Sequence, residues 1–444
     1  MLLAFVLLSF LLFSFAIFSG LKLQEGRLFK FILSTILSAS ILGLLFSVSL
    51  FSHLSFMGYV VVLLCVDVLS VMLLVGRQPS RLLFHFSVDS LLLLFSALIL
   101  LGTLFFWYKA EPWGGWDAWA IWNLHAKFLF YEDAWNNLFT NEIGWTHPDY
   151  PLMLPSLIAL LWKTVGSVSP MIPALLAYFV FVCILCLIYS SRPGKQYRYI
   201  SLVGVVLLIL DYHFIREASS QYADTLVGLY ILLSTILLGK EANYSSKFYL
   251  LIGFMASLPI WVKNEGIVFF VFLSFFVLIN NLEKREKILY YLVGTMPMVI
   301  LFSWFKIVYA PGNDITSAIS LDLLDKVFAF DKYITIAIYL VYTVAVKFPL
   351  LIVFALFLFF NRPRRKIPGI VFVLLTSLAA YLFVYVITPY DITWHISTSL
   401  NRLIHQLYPA FVYCMVLYFY NHPQSRNFIT TFLDRTLINW LNVR

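Results

Sequence analysis

Residues 107–166 read WYKAEPWGGWDAWAIWNLHAKFLFYEDAWNNLFTNEIGWTHPDYPLMLPSLIALLWKTVG, and how their final segment is placed sets the topology of the whole chain. That segment, 151–166, is apolar enough to suggest a span. It is nevertheless shorter than the roughly twenty residues a span needs, and it carries two prolines and a lysine. If it crossed the membrane, every later connection would change side. Read as an interfacial or re-entrant helix on the outer face, it leaves the connection from Trp107 to Pro170 as the longest non-spanning stretch. A loop of that length is more often functional than decorative.

The rest of the chain has a bilayer for its main solvent. Of 444 residues, 62% are hydrophobic and 12% charged, with mean hydropathy +0.90, whereas a soluble domain carries about a quarter charged residues. The expected fold is an all-α polytopic membrane protein. Apolar stretches near 1–20, 29–50, 57–76, 88–107, 170–190, 199–214, 222–239, 248–262, 266–281, 288–309, 336–360, 368–388 and 403–420 predict about thirteen transmembrane helices. The first is read as a retained helix, because no positive region precedes it as a cleaved signal requires.

The net charge of +8 is not the footprint of nucleic acid, because the basic residues fall in short clusters between apolar runs. Lys22, Arg27 and Lys30 form one cluster; Arg77 and Arg81 another; Arg192, Lys195 and Arg198 a third; Lys240 and Lys247 a fourth. Lys284, Arg285 and Lys287 follow, then Arg362, Arg364, Arg365 and Lys366, then Arg426, Arg435 and Arg444. These connections are expected to be cytoplasmic, with the amino terminus outside. Acidic residues mostly take the other face, among them Glu111, Asp117, Glu132, Asp133, Glu142, Asp149, Asp314, Asp322, Asp325, Asp331 and Asp391. Cys65, Cys183, Cys186 and Cys414 lie in apolar segments, where they serve as small hydrophobes rather than as a disulfide framework or a metal site.

Eight of the twelve tryptophans fall in or beside the first large loop, so its aromatic content needs an account. An aromatic belt at headgroup level is the plain one, and stacking on a sugar ring or lining a lipid groove is the alternative. Gly114 and Gly115 make a turn, and the run from Trp116 to Phe130 predicts a helix lying in the interface. Asp117 stands in its first turn. There it complements the helix dipole, or serves in a site together with His147-Pro148-Asp149-Tyr150-Pro151 at the far end of the loop. Further ionisable groups stand near the same membrane depth, where they are costly and usually line a cavity: Arg216, Glu217 and Asp224; Lys263 and Glu265; and Asp391, His395 and Arg402 in the last outer loop. Three basic groups on an otherwise acidic face point to an anion site. Asp67 and Asp89 have no motif around them and are read as packed polar residues.

GWDAWAIWNLHAKFLF, HPDYPLMLPSLIALLWKTVG, YADTLVG and KNEG, in this order, resemble the GT-C membrane glycosyltransferases. The similarity is to the bacterial branch near protein mannosyltransferases that use a dolichyl-phosphate sugar, and near the lipid A aminoarabinose transferase, over about residues 88–310. The resemblance implies a polyprenyl-phosphate-linked sugar donor, transfer with inversion on the outer face of a bacterial inner membrane, and Asp117 as general base. Asp149 and His147 join it as candidate catalytic residues. Lys263, Arg402 and Arg216 are the candidates for the donor phosphate, and Trp116, Lys127, Tyr150, Asp224, Glu265 and His395 for the substrate pocket. Ala118 stands where many relatives carry a second acid directly after the loop aspartate, so no paired-carboxylate metal site is indicated there, although a divalent metal is compatible with the family.

The implied organisation is a three-helix transmembrane extension (1–87), a GT-C-like module (88–310) with its catalytic loop at 108–169, C-terminal transmembrane helices and outer loops (311–420), and a cytoplasmic amphipathic tail (421–444). The expected partners are the lipid-linked donor, a glycan, lipid or protein acceptor, and membrane lipids. An O-antigen polymerase or ligase shares these features. A lipid-linked oligosaccharide flippase or other transporter is a further alternative, though no internal repeat supports it, and an assembly subunit without activity remains a third.

Overall fold

The computed structural model describes residues 2–75, 88–131, 133–192, 194, 198–312, 323–360 and 369–421. The basic clusters at Arg77 and Arg81 and at Arg362–Lys366, together with Lys195, Glu132, Asp314, Asp322, the side chains of Asp89 and Arg198, and the tail 422–444, lie outside the described residues. Among these residues the protein is all helical. The first half comprises α1 (Leu2–Gly20), α2 (Arg27–Phe51), α3 (Phe56–Leu74), α4 (Val88–Ala110), α5 (Asn123–Phe130), α6 (Met153–Val165), α7 (Met171–Ser190), α8 (Arg198–Leu210) and α9 (Tyr212–Ser219). The second half comprises α10 (Ala223–Gly239), α11 (Phe248–Val262), α12 (Gly266–Asn280), α13 (Arg285–Val308), α14 (Leu323–Phe328), α15 (Phe330–Lys347), α16 (Pro349–Phe360), α17 (Gly369–Ile387) and α18 (Ile392–Asn421).

The chain is a polytopic membrane protein, but its span count differs from the expected thirteen. Among the described residues eight helices are long and apolar enough to cross a membrane, or up to ten if each bent pair is one span. One bent pair is α8 with α9, at 68°, where Asp211 accepts from the Phe214 amide and so caps a new helix. The other is α15 with α16, at 98°, where Pro349 opens the second helix. The remaining difference lies in α10, α11 and α12, with 17, 15 and 15 residues. At 1.5 Å per residue they reach only about 22–26 Å, less than the ~30 Å hydrocarbon core.

These short helices form the centre. Nearly every residue of α10 is buried, because α7, α11 and α18 surround it. A helix that is apolar all round suits that position. Helix α2 enters the same core: Ser40 is hydrogen-bonded to Tyr230 of α10 (2.7 Å) and Ser47 to Ser156 of α6 (2.8 Å). Helix α6 is 13 residues long, too short for a candidate span, and is packed into the bundle. Most of its residues are buried against α2, α5 and α7, so 151–166 is a helix enclosed by protein, where the lysine and prolines at its ends cost least.

Helices α11 and α13 touch backbone to backbone. A Cβ on Gly253 would stand 2.2 Å from the Tyr291 carbonyl oxygen, and one on Gly294 would stand 2.2 Å from that of Leu250. Two facing glycines permit this approach, as small residues do between membrane helices. Gly253→Ala is expected to force the pair apart at a cost of about 1–3 kcal/mol, read as a lowered melting temperature in detergent. An unchanged melting temperature would show that the contact is not needed.

The last span also differs from expectation. YDITWHISTSLNR is helix rather than loop from Ile392 onward, because Asp391 accepts from the Trp394 amide (2.8 Å) and starts α18 eleven residues before the predicted 403.

Candidate functional site

The loop begins with a tight return. Gly114 has φ +77°, and a Cβ there would meet the Ser220 carbonyl oxygen at 2.5 Å, so only glycine fits against the turn between α9 and α10. The Gly115 amide donates to that same carbonyl (3.1 Å), and Gln221 Nε2 donates to the Pro112 carbonyl (3.1 Å). The predicted helix from Trp116 to Phe130 is present, with a π-helical turn over Ala118–Trp122 leading into α5. That wide turn splits the tryptophans spaced three apart: Trp116 and Trp119 are exposed, whereas Trp122 is fully buried. A belt therefore describes Trp116, Trp119 and Trp145, and Trp122, Trp135 and Trp162 are core residues.

Asp117 sits at the head of the π-helical turn, buried, and forms an ion pair with Arg402 of α18. The resemblance implies the roles of base and phosphate ligand for these two residues, and the structure joins them in one ion pair. Four residues further along α18, on the same face, Gln406 Nε2 donates to Asp224 Oδ1 (2.6 Å). Asp224, in the first turn of α10, also accepts from Lys263 (3.1 Å), and Lys263 is 3.1 Å from Glu265. Lys263, Asn264 and Glu265 are the whole connection between α11 and α12. Gly266 makes so short a hairpin possible, since a Cβ there would lie 2.2 Å from the Pro259 carbonyl oxygen.

The far end of the loop closes on the same cluster. Asp149 Oδ2 accepts from Asn264 Nδ2 (2.7 Å) and from Lys306 Nζ (3.2 Å), and Lys306 also donates to the Asp149 carbonyl (2.5 Å). His147 takes a left-handed backbone (φ 52°) that turns its ring onto Tyr150 at 4.9 Å, and Trp122 stacks on Tyr150 from 5.5 Å. Lys263 Nζ lies 5.9 Å from the Tyr150 ring centroid. Burial, with the carboxylates of Glu265, Asp149 and Asp117 adding to it, pushes the Tyr150 hydroxyl well above its ordinary pKa, so it stays protonated and able to donate.

The loop end of the bundle therefore gathers Asp117, Asp149, His147, Tyr150, Asp224, Lys263, Glu265 and Arg402. Other predicted residues stand apart from it. Arg216 forms a two-pronged pair with Glu111 (2.9 and 3.0 Å) and covers the Trp107 ring. Lys127 lies over Trp113, Trp116 packs on Trp119 and Trp145, and His395 Nδ1 bonds the Thr388 hydroxyl (2.8 Å). Residues that sequence reasoning left out include Lys306 and Gln406, both polar within apolar helices, and Tyr381, whose hydroxyl donates to Gln406 Oε1 (3.1 Å). Asn401 donates to Glu217 (2.5 Å) at the rim. A lone in-span lysine or glutamine was the available signal.

Electrostatically the site is acidic. The cations Lys263, Lys306 and Arg402 face the carboxylates Asp117, Asp149, Asp224 and Glu265, a formal excess of one negative charge, while Glu217 at the rim is also within reach of Lys347 and Arg216. Asp224 Oδ2, Glu265 Oε2, Asn264 Oδ1 and Arg402 Nε are buried and unbonded among the described residues, which leaves both donors and acceptors for a ligand. Among the described residues no three His, Cys, Asp or Glu side chains converge as metal ligands.

His125 lies behind the cluster, buried in α5, with Nε2 3.4 Å from Thr146 Oγ1. Burial lowers its pKa from the usual 6.5 to about 3. The unfolded chain therefore binds a proton that the folded chain refuses, and stability falls as pH falls from about 6.5 toward 3. The His125→Gln variant is expected to lose less stability than wild type over that window, by up to about 1.4 kcal/mol per pH unit, read as a smaller fall in melting temperature. Parallel melting curves against pH would refute this.

Comparison with protein-family models, with curated proteins and with solved structures finds no match for this chain.

Proposed function

We propose that the protein is a membrane glycosyltransferase that moves a sugar from a polyprenyl-phosphate donor to an acceptor hydroxyl, with inversion, at the loop-bearing face. That face is the outer one in this reading, the periplasmic side of a bacterial inner membrane, as the alternation of basic connections suggests. The observation that carries the proposal is the meeting of Asp117 with Arg402 in a buried polar cluster at the end of the bundle. A lipid-linked donor needs its tail in the bilayer and its phosphate and sugar at the headgroup plane, which is where such a cluster belongs.

In the reaction, the acceptor oxygen bonds to the anomeric carbon and its proton passes to an Asp117 oxygen. The bond from that carbon to the phosphate oxygen breaks, and the electron pair leaves with the phosphate. Charge builds on the phosphate in the transition state and needs a preorganised cation. Arg402 is the first candidate, because Lys263 already holds two carboxylates and Arg216 is paired with Glu111. Tyr150 and Asn264 are placed to orient the sugar, and the acceptor is a glycan, lipid or protein.

The excess of carboxylates favours one other reading, a transporter that carries a lipid-linked glycan together with a cation. Purified protein in lipid nanodiscs, given a radiolabelled polyprenyl-phosphate monosaccharide and candidate hydroxyl acceptors, separates the two. Label transferred to acceptor supports the transferase. Label consumed only from a preassembled diphosphate-linked glycan indicates a polymerase or ligase. Label that changes leaflet in proteoliposomes without a change of carrier indicates a transporter.

A further inference from the structure

The geometry points to a shared residue: Arg402 is held by Asp117 until an anionic phosphate takes it, so the site takes its donor before it has a free base. The inference rests on the transferase reading but goes beyond it, since it assigns an order of binding and a sign to a mutational effect. Asp117 and Arg402 are each largely buried, with side-chain exposures of 13% and 16%. Arg402 Nε is buried and unbonded, and the guanidinium lies 5.4 Å from the Tyr222 ring. A guanidinium has five donors in a planar fork, so the group can swing from one oxyanion to another without leaving its burial.

The surroundings make the exchange a competition. Lys263 is engaged by Asp224 and Glu265, and Lys306 by Asp149. An entering phosphate meets a cluster that already has more carboxylates than cations, and it competes with a carboxylate for the cation it takes. The Arg402–Asp117 pair is the one whose two members are needed separately for chemistry. While they are paired, the Asp117 oxygen that faces Arg402 is occupied and cannot accept the acceptor's proton. Phosphate on Arg402 frees it. An acceptor that arrives first meets a base weakened by its ion pair, and the donor is not exposed to hydrolysis by an enzyme that is active when empty.

The consequence is opposite to that of an ordinary binding residue. Removing Asp117's charge takes from a buried guanidinium the carboxylate bonded to it, leaving Asp224 as a more distant counter-charge, a costlier state that an anionic ligand relieves. The test is binding of radiolabelled polyprenyl phosphate to the full-length protein in nanodiscs, with polyprenol and inorganic phosphate as separate probes. Asp117→Asn is expected to bind polyprenyl phosphate about tenfold more tightly than wild type. Polyprenol binding should be unchanged, and inorganic phosphate should show the same direction of change if the headgroup alone suffices. Asp117→Glu keeps the competing charge and should bind as wild type does; Asp117→Ala serves where the asparagine variant does not elute as folded protein. Equal or weaker binding by both uncharged variants, or equal tightening by Asp117→Glu, overturns the competition. If neither wild type nor any variant binds polyprenyl phosphate, the transferase reading itself falls.

Discussion

Asp117→Asn is expected to reduce sugar transfer by roughly a hundred- to ten-thousand-fold, the usual contribution of a positioned general base, while the protein stays folded and holds its donor more firmly. Asparagine has nearly the shape of aspartate and still offers an oxygen to Arg402, so the packing of the loop on α18 is kept. It cannot take a proton at neutral pH. The acceptor oxygen would then attack still carrying its hydrogen, and the barrier rises. The measurement is single-turnover transfer at saturating donor, together with donor binding in the same preparation. Near-normal turnover would remove Asp117 as the base. Lost turnover with lost donor binding would instead make Asp117 a structural anchor of Arg402.

Much of this arrangement was legible in the sequence, and the part that was not has a physical cause. All thirteen predicted segments are helical, because runs of apolar residues bounded by charge leave the backbone no alternative in lipid. Asp224, Lys263 and Arg402 were singled out by the expense of an ionisable group at membrane depth, and Asp117 and Asp149 by their places at the two ends of the long loop. Which charge faces which was not legible. Pairing between residues as distant as Asp117 and Arg402 depends on how helices pack, and spacing along the chain carries no trace of it. Lys306 and Gln406 were missed because a single polar residue inside an apolar run looks like tolerated noise.

The difference between thirteen expected spans and eight to ten candidate spans among the described residues has the same root as the site. Helices α10, α11 and α12 are shorter than the hydrocarbon core is thick, and Asp224, Lys263 and Glu265 stand at their ends beside longer neighbours. Gln406 reaches Asp224 from the fifteenth residue of α18, so roughly 21 Å of that helix runs past the level of the carboxylate. A hydropathy window registers an apolar stretch and is blind to this difference in level. The same shortness that confuses the count sets the polar ends of the central helices inside protein.

Lys263→Met is expected to cost about 3–5 kcal/mol of stability, the largest single loss predicted for this chain. The lysine ammonium lies 3.1 Å from both Asp224 and Glu265, and its side chain is 4% exposed. Methionine fills much of the same volume, so little of the loss is packing. The cost comes chiefly from Asp224, 2% exposed and left without its bonded cation beside the part-exposed Glu265, with Gln406 the only other donor bonded to Asp224 among the described residues. Pairing the change with Asp224→Asn removes one of those charges and is expected to restore more than half of the lost melting temperature. The double variant also decides what Lys263 does. If the lysine only balances the cluster, donor binding returns with stability, because the phosphate is met by Arg402. If Lys263 itself grips the phosphate, the double variant folds and still fails to bind polyprenyl phosphate, and Arg402 loses its place as the principal cation.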